Sequence, residues 1–260
     1  MNTRPIFIVA LVLGTSLSGF ISRVAAQERT QLTASQVPFV GCESDGQVGP
    51  LESPHGAVKK VMIPAELASR LAYYEAENGF GVLGPRGWHC FSTYGSNGST
   101  LYVAPEIIQG KMLFSDDWKG FSGQAIQVSV SIGDTSGRFS VARAIARAFP
   151  DHAEFVQKVI AEGIEPASSF PAGPYPTDKL TYKGKSVVEF ETPPNSQGLG
   201  THSMLSTNSS PIRGVMILFG EEPSLVHASI RIADDNQNLI QPILKQLESD
   251  VAASERKNGT

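Results

Sequence analysis

Cysteine is scarce in this sequence, which contains only Cys42 and Cys90. In an exported protein, two cysteines and no others indicate a single disulfide bond. A bridge closing a loop of this length would stabilise the fold by roughly 4 kcal/mol on the chain-entropy model. The alternative is a reactive thiol at Cys90, which follows His89 directly. Adjacent residues of a strand point to opposite faces, so a thiolate pair does not fit a strand here.

The sequence also lacks a run of basic residues. Its 21 Lys and Arg residues are outnumbered by 25 Asp and Glu residues, which gives a formal net charge of −4. A mildly acidic chain without a basic cluster excludes nucleic acid as an expected partner. The 5 histidines include no pair at i,i+2 or i,i+4, and no acidic loop has calcium spacing. We therefore expect no metal site and no other cofactor.

Long apolar runs are confined to the N-terminus. Arg4 precedes an apolar stretch at 6–21 and a small-residue cleavage site at 24–26, so residues 1–26 are predicted to be a secretory signal peptide. An uncleaved membrane anchor is the alternative. Cleavage would also remove Arg23 and leave 19 basic against 25 acidic residues, a formal charge of −6. No later stretch is long enough to span a bilayer, so we expect a soluble protein in the periplasm or outside the cell.

Alternating apolar and polar residues predict several strands. The clearest is 124–132, where Ile and Val alternate with Gln and Ser, so one face should be buried and the other wet. Residues 215–219 are apolar on both faces, as expected of a central strand. His89 and His227 should point to solvent from their strands. The other predicted strands are 88–94, 179–182, 186–192, 200–206 and 225–232.

Helical periodicity predicts four helices, which span residues 65–77, 138–149, 151–162 and 239–251. The first is rich in strong helix formers and begins behind a proline. On the second, apolar side chains face inward while Arg138, Arg143 and Arg147 face outward. Asp151 and Glu154 form a capping-box-like pair at the start of the third.

The order of these elements indicates an α+β fold in which helices pack on an antiparallel sheet. We expect a flexible segment at 27–36, a single globular domain at 37–251 and a frayed tail at 252–260. Residues 165–178 hold four prolines and could split the domain as a linker. An ordered crossover loop is the favoured interpretation, because Phe170 and Tyr175 give this segment apolar anchors.

The chain resembles a group of uncharacterised exported proteobacterial proteins in four blocks: VPFVGCESDGQVGP, GFGVLGPRGWHCFSTYGSNGSTLYVAP, GDTSGRF and PAGPYPTDKLTY. This likeness covers most of the mature chain and implies export but no activity. In layout the chain is also similar to the Mog1/PsbP-like α+β fold, through residues 79–80, 85–88 and 215–247. Members of that fold mostly bind partners or assist assemblies, so this resemblance implies a non-enzymatic role.

Candidate catalytic residues lie in two serine-bearing turns. Ser96 and Ser136 are flanked by glycines as in hydrolase elbows, but neither turn has the sequence Gly-x-Ser-x-Gly. A serine hydrolase would need one of them to meet Asp134 and His202 from distant parts of the chain. A hairpin turn and a helix N-cap explain both turns without catalysis.

Candidate binding residues are the aromatic side chains Trp118, Phe121 and Tyr175, which lie beside acidic residues or prolines and could face a partner. Anchoring of loops in the core is the alternative role for them. We therefore expect an exported binding or assembly-associated protein whose partner is an unknown protein or small molecule. A serine hydrolase and a small-ligand carrier are the alternatives.

Overall fold

The computed structural model describes residues 32–258, which belong to one compact unit; the signal peptide predicted at 1–26 lies outside them. The strands are β1 Thr33–Gly41, β2 Glu43–Gly46, β3 Val58–Ile63, β4 Leu71–Glu75, β5 Val82–Pro85, β6 His89–Gly95, β7 Gly98–Ala104, β8 Ala125–Ser131, β9 Lys179–Tyr182, β10 Val187–Thr192, β11 Ile212–Phe219 and β12 Ser224–Arg231. The helices are α1 Gly110–Leu113, α2 Arg138–Ala148, α3 Ala153–Ala161 and α4 Ile240–Asn258. No helix among residues 32–258 has the length and apolar character that crossing a membrane requires.

The strands form two mixed sheets. The smaller has the order β3-β1-β4-β5, and the larger has the order β2-β6-β7-β8-β12-β11-β10-β9. In each sheet one pair is parallel, β1 with β4 and β2 with β6, and the other pairs are antiparallel. The α+β class is confirmed, but the expected single antiparallel sheet is wrong. One extended segment supplies both β1 and β2, and its partner in each sheet arrives by a crossover that makes the pair parallel.

The main core lies between the two sheets and α4. Apolar side chains of β7, β8, β11 and β12 on one face of the larger sheet pack with residues of the smaller sheet and with one side of α4. The predicted disulfide is confirmed: Cys42, between β1 and β2, is bonded to Cys90 of β6, with the two Cα atoms 5.4 Å apart. The bridge therefore joins the smaller sheet covalently to the larger one.

The opposite face of the larger sheet is partly covered by α2 and α3. Their apolar sides pack on β10, β11 and β12, as the helical periodicity predicts. Gly163, with a φ of 68°, terminates α3 in the left-handed conformation that glycine adopts easily. The predicted capping box is wrong: α3 has no side-chain cap, and a 3-10 turn at Pro150–His152 leads into it instead. At the β6–β8 end of this face, α1 and the loop after it pack on Phe91 and Tyr102, and the part of the face beside α2 stays open.

The helix predicted at 65–77 is wrong. Only a 3-10 turn forms there, at Ala65–Leu67, and the following residues form β4 between β1 and β5. Tyr73 and Tyr74 are buried, and the Tyr74 hydroxyl donates to the carbonyl of Pro85 at 2.6 Å. Backbone pairing on both sides and the burial of two aromatic side chains outweigh the local helix propensity of this segment.

Two segment boundaries and one predicted strand also differ from the predictions. Residues 33–36, predicted to be flexible, belong to β1 and pair with β3. The predicted tail at 252–260 continues α4 as far as Asn258, and Glu255 in it accepts a hydrogen bond from the Gly220 amide at 3.2 Å. The strand predicted at 200–206 is instead a 3-10 turn, Leu199–His202, followed by a loop. The Thr192 hydroxyl accepts the Gly200 amide at 2.9 Å and holds this turn against β10.

Candidate functional site

A row of polar side chains crosses four neighbouring strands on the open part of this face of the larger sheet. Thr93 of β6 lies opposite Thr100 of β7, Thr100 lies opposite Ser129 of β8, and Ser129 lies opposite His227 of β12. Residues directly opposite one another on neighbouring strands share a face of the sheet. Strand pairing alone therefore brings four hydrogen-bonding side chains into one line.

This row forms the floor of a cavity of about 430 Å³, which we call the strand-helix cavity. Ser140, Arg143 and Arg147 of α2 form one wall, and Leu199 and His202 of the 3-10 turn form part of the other. A volume of this size lies within the range of about 300–1,000 Å³ typical of small-molecule sites. None of its lining residues, all within the described chain, is an aspartate or a glutamate.

The hydroxyl groups of the floor are ordered by their own hydrogen bonds. Thr100 Oγ1 donates to Ser129 Oγ at 3.2 Å, and the buried Gln127 donates to the same oxygen through Nε2 at 2.9 Å. Gln127 is fixed in turn, because its Oε1 accepts the Met204 amide at 2.7 Å. Ser129 thus accepts two hydrogen bonds and keeps its own proton to donate to a ligand. The face of β8 predicted to be wet is therefore partly buried, with Gln127 only 7% exposed.

The two arginines of the wall differ in their partners. Arg143 Nη2 lies 2.7 Å from both carboxylate oxygens of Glu165, so this charge is paired. Arg147 donates through Nη1 to the Gly173 carbonyl at 3.1 Å, and its guanidinium carbon lies 4.2 Å from the centre of the Tyr175 ring. Among residues 32–258, no carboxylate forms an ion pair with Arg147.

Two histidines face the cavity, and burial lowers the pKa of both. Burial, and then the nearby Arg147, lower the pKa of His202, whose Nε2 is hydrogen-bonded to the Tyr175 hydroxyl. Burial lowers the pKa of His227 to about 4, with a further contribution from His202. A neutral imidazole offers one donor and one acceptor, so both residues can make hydrogen bonds without adding charge.

The low pKa of His227 predicts a loss of stability in mild acid. Unfolding restores the ordinary value of 6.5, so the stabilisation is complete above pH 6.5 and is lost as the pH falls towards 4. At 1.36 kcal/mol per pKa unit, the loss reaches up to about 3 kcal/mol. Urea unfolding at pH 7 and pH 4.5 should therefore show a smaller drop in the free energy of unfolding for His227→Gln than for the wild type.

The control for this measurement is His89→Gln, because His89 is solvent-exposed. This variant should follow the pH dependence of the wild-type protein. Parallel curves for the wild type and His227→Gln would contradict the lowered pKa of His227.

The predicted catalytic residues do not come together in one site. His202 lies at the rim of the cavity, whereas Ser96, Asp134 and Ser136 are exposed on turns and do not line it. Within the described chain, His202 is hydrogen-bonded to Tyr175 and to no serine. The serine–histidine hydrogen bond found among residues 32–258 is a long one, 3.4 Å between Ser229 Oγ and His227 Nε2, and Ser229 is 1% exposed.

The predicted binding residues fall into two groups. Trp118 and Phe121 pack edge-on with ring centres 5.2 Å apart and both contact Tyr102, so they anchor a loop to the sheet. Tyr175 instead lies beside the cavity, in contact with Arg147 and His202. The proline-rich segment that carries Tyr175 thus contacts two of the residues that line the cavity.

Sequence reasoning missed most of the cavity. Arg143 and Arg147 were expected to face solvent, but both are only partly exposed, and both line the cavity. Their i,i+4 spacing was the available signal, since it places both on one helix face. The expectation for His89 is confirmed, whereas His227 is partly buried because α2 and the 3-10 turn cover its end of the floor.

No family model, curated protein or solved structure matches this chain significantly. The chemistry of the cavity must therefore be interpreted from its own residues. Among residues 32–258, no group of three His, Cys, Asp or Glu side chains could hold a metal ion. The cavity offers one guanidinium without an ion-pair partner among residues 32–258, two imidazoles and a row of hydroxyl groups. That set is suited to holding a polar small molecule.

Proposed function

We propose that this protein is an exported binding protein that holds a small molecule in the strand-helix cavity. The observation that carries this proposal is the cavity itself: ordered hydroxyl, imidazole and guanidinium donors converge on an open space and no lining carboxylate opposes them. Convergent polar groups in a cavity are the usual mark of a ligand site. The disulfide supports export, because such bonds persist in oxidising compartments such as the periplasm or the cell exterior.

A non-enzymatic role is supported by the hydrogen bonding of the two histidines. A serine hydrolase needs an accessible serine hydrogen-bonded to a histidine. In the described chain, Nε2 of His202 is bonded to Tyr175, and the serine near His227 is buried. The layout resemblance to Mog1/PsbP-like proteins points the same way, since those proteins mostly bind partners or assist assemblies.

The test is a thermal-shift screen of the mature protein against a panel of small polar metabolites. A ligand present at about 100 times its Kd should stabilise the native state by about 2.7 kcal/mol. For a domain of this size, that free energy raises Tm by roughly 5–10 °C. Isothermal titration calorimetry on each hit should then give one site per chain.

The same protein should be treated with a fluorophosphonate probe as a control for catalysis. We expect no labelling. Labelling that disappears when a single serine is replaced, together with turnover of an ester, would contradict the proposal and favour the hydrolase alternative. Absence of any Tm shift across the panel would also contradict it.

A further inference from the structure

The charges around the strand-helix cavity are unbalanced. The whole chain carries a formal net charge of −4, yet the cavity is lined by Arg143 and Arg147 and by no acidic residue. Glu165 neutralises Arg143 from outside the lining. Arg147 therefore leaves one uncompensated positive charge at the site, within an acidic protein. A positive charge in a concave, partly desolvated place attracts an anion.

From these charges and the hydroxyl floor, we infer that the ligand is a hydroxylated anion, such as a sugar acid or a sugar phosphate. This inference rests on the proposed function and names its ligand class. The shared chemistry is a carboxylate or phosphate group that binds Arg147 and a hydroxylated body that lies along Thr93, Thr100 and Ser129.

The guanidinium group of Arg147 is preorganised by two contacts within the protein. One N–H donates to the Gly173 carbonyl, and the guanidinium carbon lies 4.2 Å from the centre of the Tyr175 ring. These two contacts fix the orientation of the group and leave most of its N–H donors unused. A planar guanidinium presents paired donors that match the two oxygens of a carboxylate or phosphate.

The floor suits hydroxyl groups better than an apolar chain. Ser129 accepts hydrogen bonds from Thr100 and Gln127, so its own hydroxyl proton is free to be donated to a ligand. Ser131, two residues after Ser129 on the same face of β8, extends the hydroxyl-bearing surface. A ligand hydroxyl both donates and accepts, as these side chains do, so each contact can replace a hydrogen bond to water.

The ligand class is tested by titrating the wild-type protein with four compounds that vary charge and hydroxylation separately. Gluconate and glucose 6-phosphate are hydroxylated anions, sorbitol is hydroxylated and neutral, and hexanoate is anionic without hydroxyl groups. We expect the hydroxylated anions to bind at least about tenfold more tightly than sorbitol and hexanoate. The better of the two anions identifies the head group as carboxylate or phosphate.

Each of the other titration results would contradict a specific part of the inferred ligand class. Sorbitol binding as tightly as gluconate would overturn the anionic class while leaving the proposed small-molecule function intact. Hexanoate binding as tightly as gluconate would overturn the role of the hydroxyl floor. Failure of all four compounds would overturn the ligand class, and the broader screen then decides whether the proposed function fails with it.

The role of Arg147 is tested by Arg147→Gln. Removing one member of a close charge pair weakens binding by about thirtyfold or more. Arg147→Lys keeps the charge without the planar donors and should lose less affinity, and unchanged far-UV circular dichroism should show that both variants fold. Arg138→Gln is the matched control on the same helix, because Arg138 pairs with Glu162 and does not line the cavity. Equal affinity for gluconate in Arg147→Gln and the wild type would refute the inference.

Discussion

Replacing Arg231 with methionine is expected to lower the free energy of unfolding by roughly 2–4 kcal/mol. Arg231 is 2% exposed and donates to three backbone carbonyls: Gly123 at 2.7 Å, Ser206 at 2.6 Å and Phe121 at 2.6 Å. Phe121 O keeps other donors after the substitution, whereas no other donor to Gly123 O or Ser206 O is present in the described chain. A buried carbonyl without a donor costs about 1–3 kcal/mol.

Arg231 is unusual because it is buried without a carboxylate partner among residues 32–258. Burial lowers its pKa, and the three carbonyls compensate for the lost hydration of the cation. The side chain thereby joins two loops, one on each side, to the end of β12. The loss of these contacts should free both loops from the larger sheet.

Urea unfolding at pH 7 measures this effect, with Arg86→Met as the matched control. Arg86 is exposed, and its side-chain contact is a long one, 3.5 Å to the Ser69 carbonyl. The control should change stability by less than about 0.5 kcal/mol. Arg231→Lys keeps the charge but loses the several N–H donors of the guanidinium group. Its loss of unfolding free energy should lie between those of Arg86→Met and Arg231→Met. Equal stability of Arg231→Met and the wild type would show that the carbonyl contacts contribute nothing.

Removing the disulfide by the double substitution Cys42→Ala and Cys90→Ala is expected to cost about 4 kcal/mol. The bond closes a loop of 48 residues, and the unfolded chain regains the entropy of that loop when the bond is absent. The bridge also ties the junction between β1 and β2, where the chain passes from one sheet to the other, to β6 of the larger sheet.

Reductant provides an internal control for this second prediction. Dithiothreitol should destabilise the wild-type protein by about the same amount as the double substitution, because both remove the same loop constraint. It should leave the double variant unchanged. Unfolding free energies that agree for oxidised and reduced wild-type protein would show that the bridge does not constrain the unfolded chain.

Several elements of the fold were predictable because their signals are local. The strand around 124–132 and the helices at 138–149 and 239–251 follow from periodic burial of one face, which the sequence displays directly. The disulfide followed from the count of cysteines. The segment at 65–77 was not predictable in this way, because β1 and β5 pair with its backbone and override its helix propensity.

The candidate site lay mostly beyond local patterns. His202 and Tyr175 were identified as candidate residues from the sequence, but nothing in the sequence joined them to each other or to Arg147. Thr93, Thr100, Ser129 and His227 meet only because β6, β7, β8 and β12 pair in one register. Pairing between strands far apart in sequence depends on the whole core rather than on neighbouring residues.

The sequence by itself determined the class of fold, the covalent bridge and the periodic helices, because composition and side-chain spacing act over a few residues. Only the tertiary structure decided that β1 and β2 would belong to different sheets, that Arg147 would line a cavity and that a row of hydroxyl groups would form the floor of that cavity. The physical reason is that burial and strand register are properties of the packed chain. Whether a polar side chain is buried or exposed depends on which elements pack beside it, and the local sequence does not specify those elements.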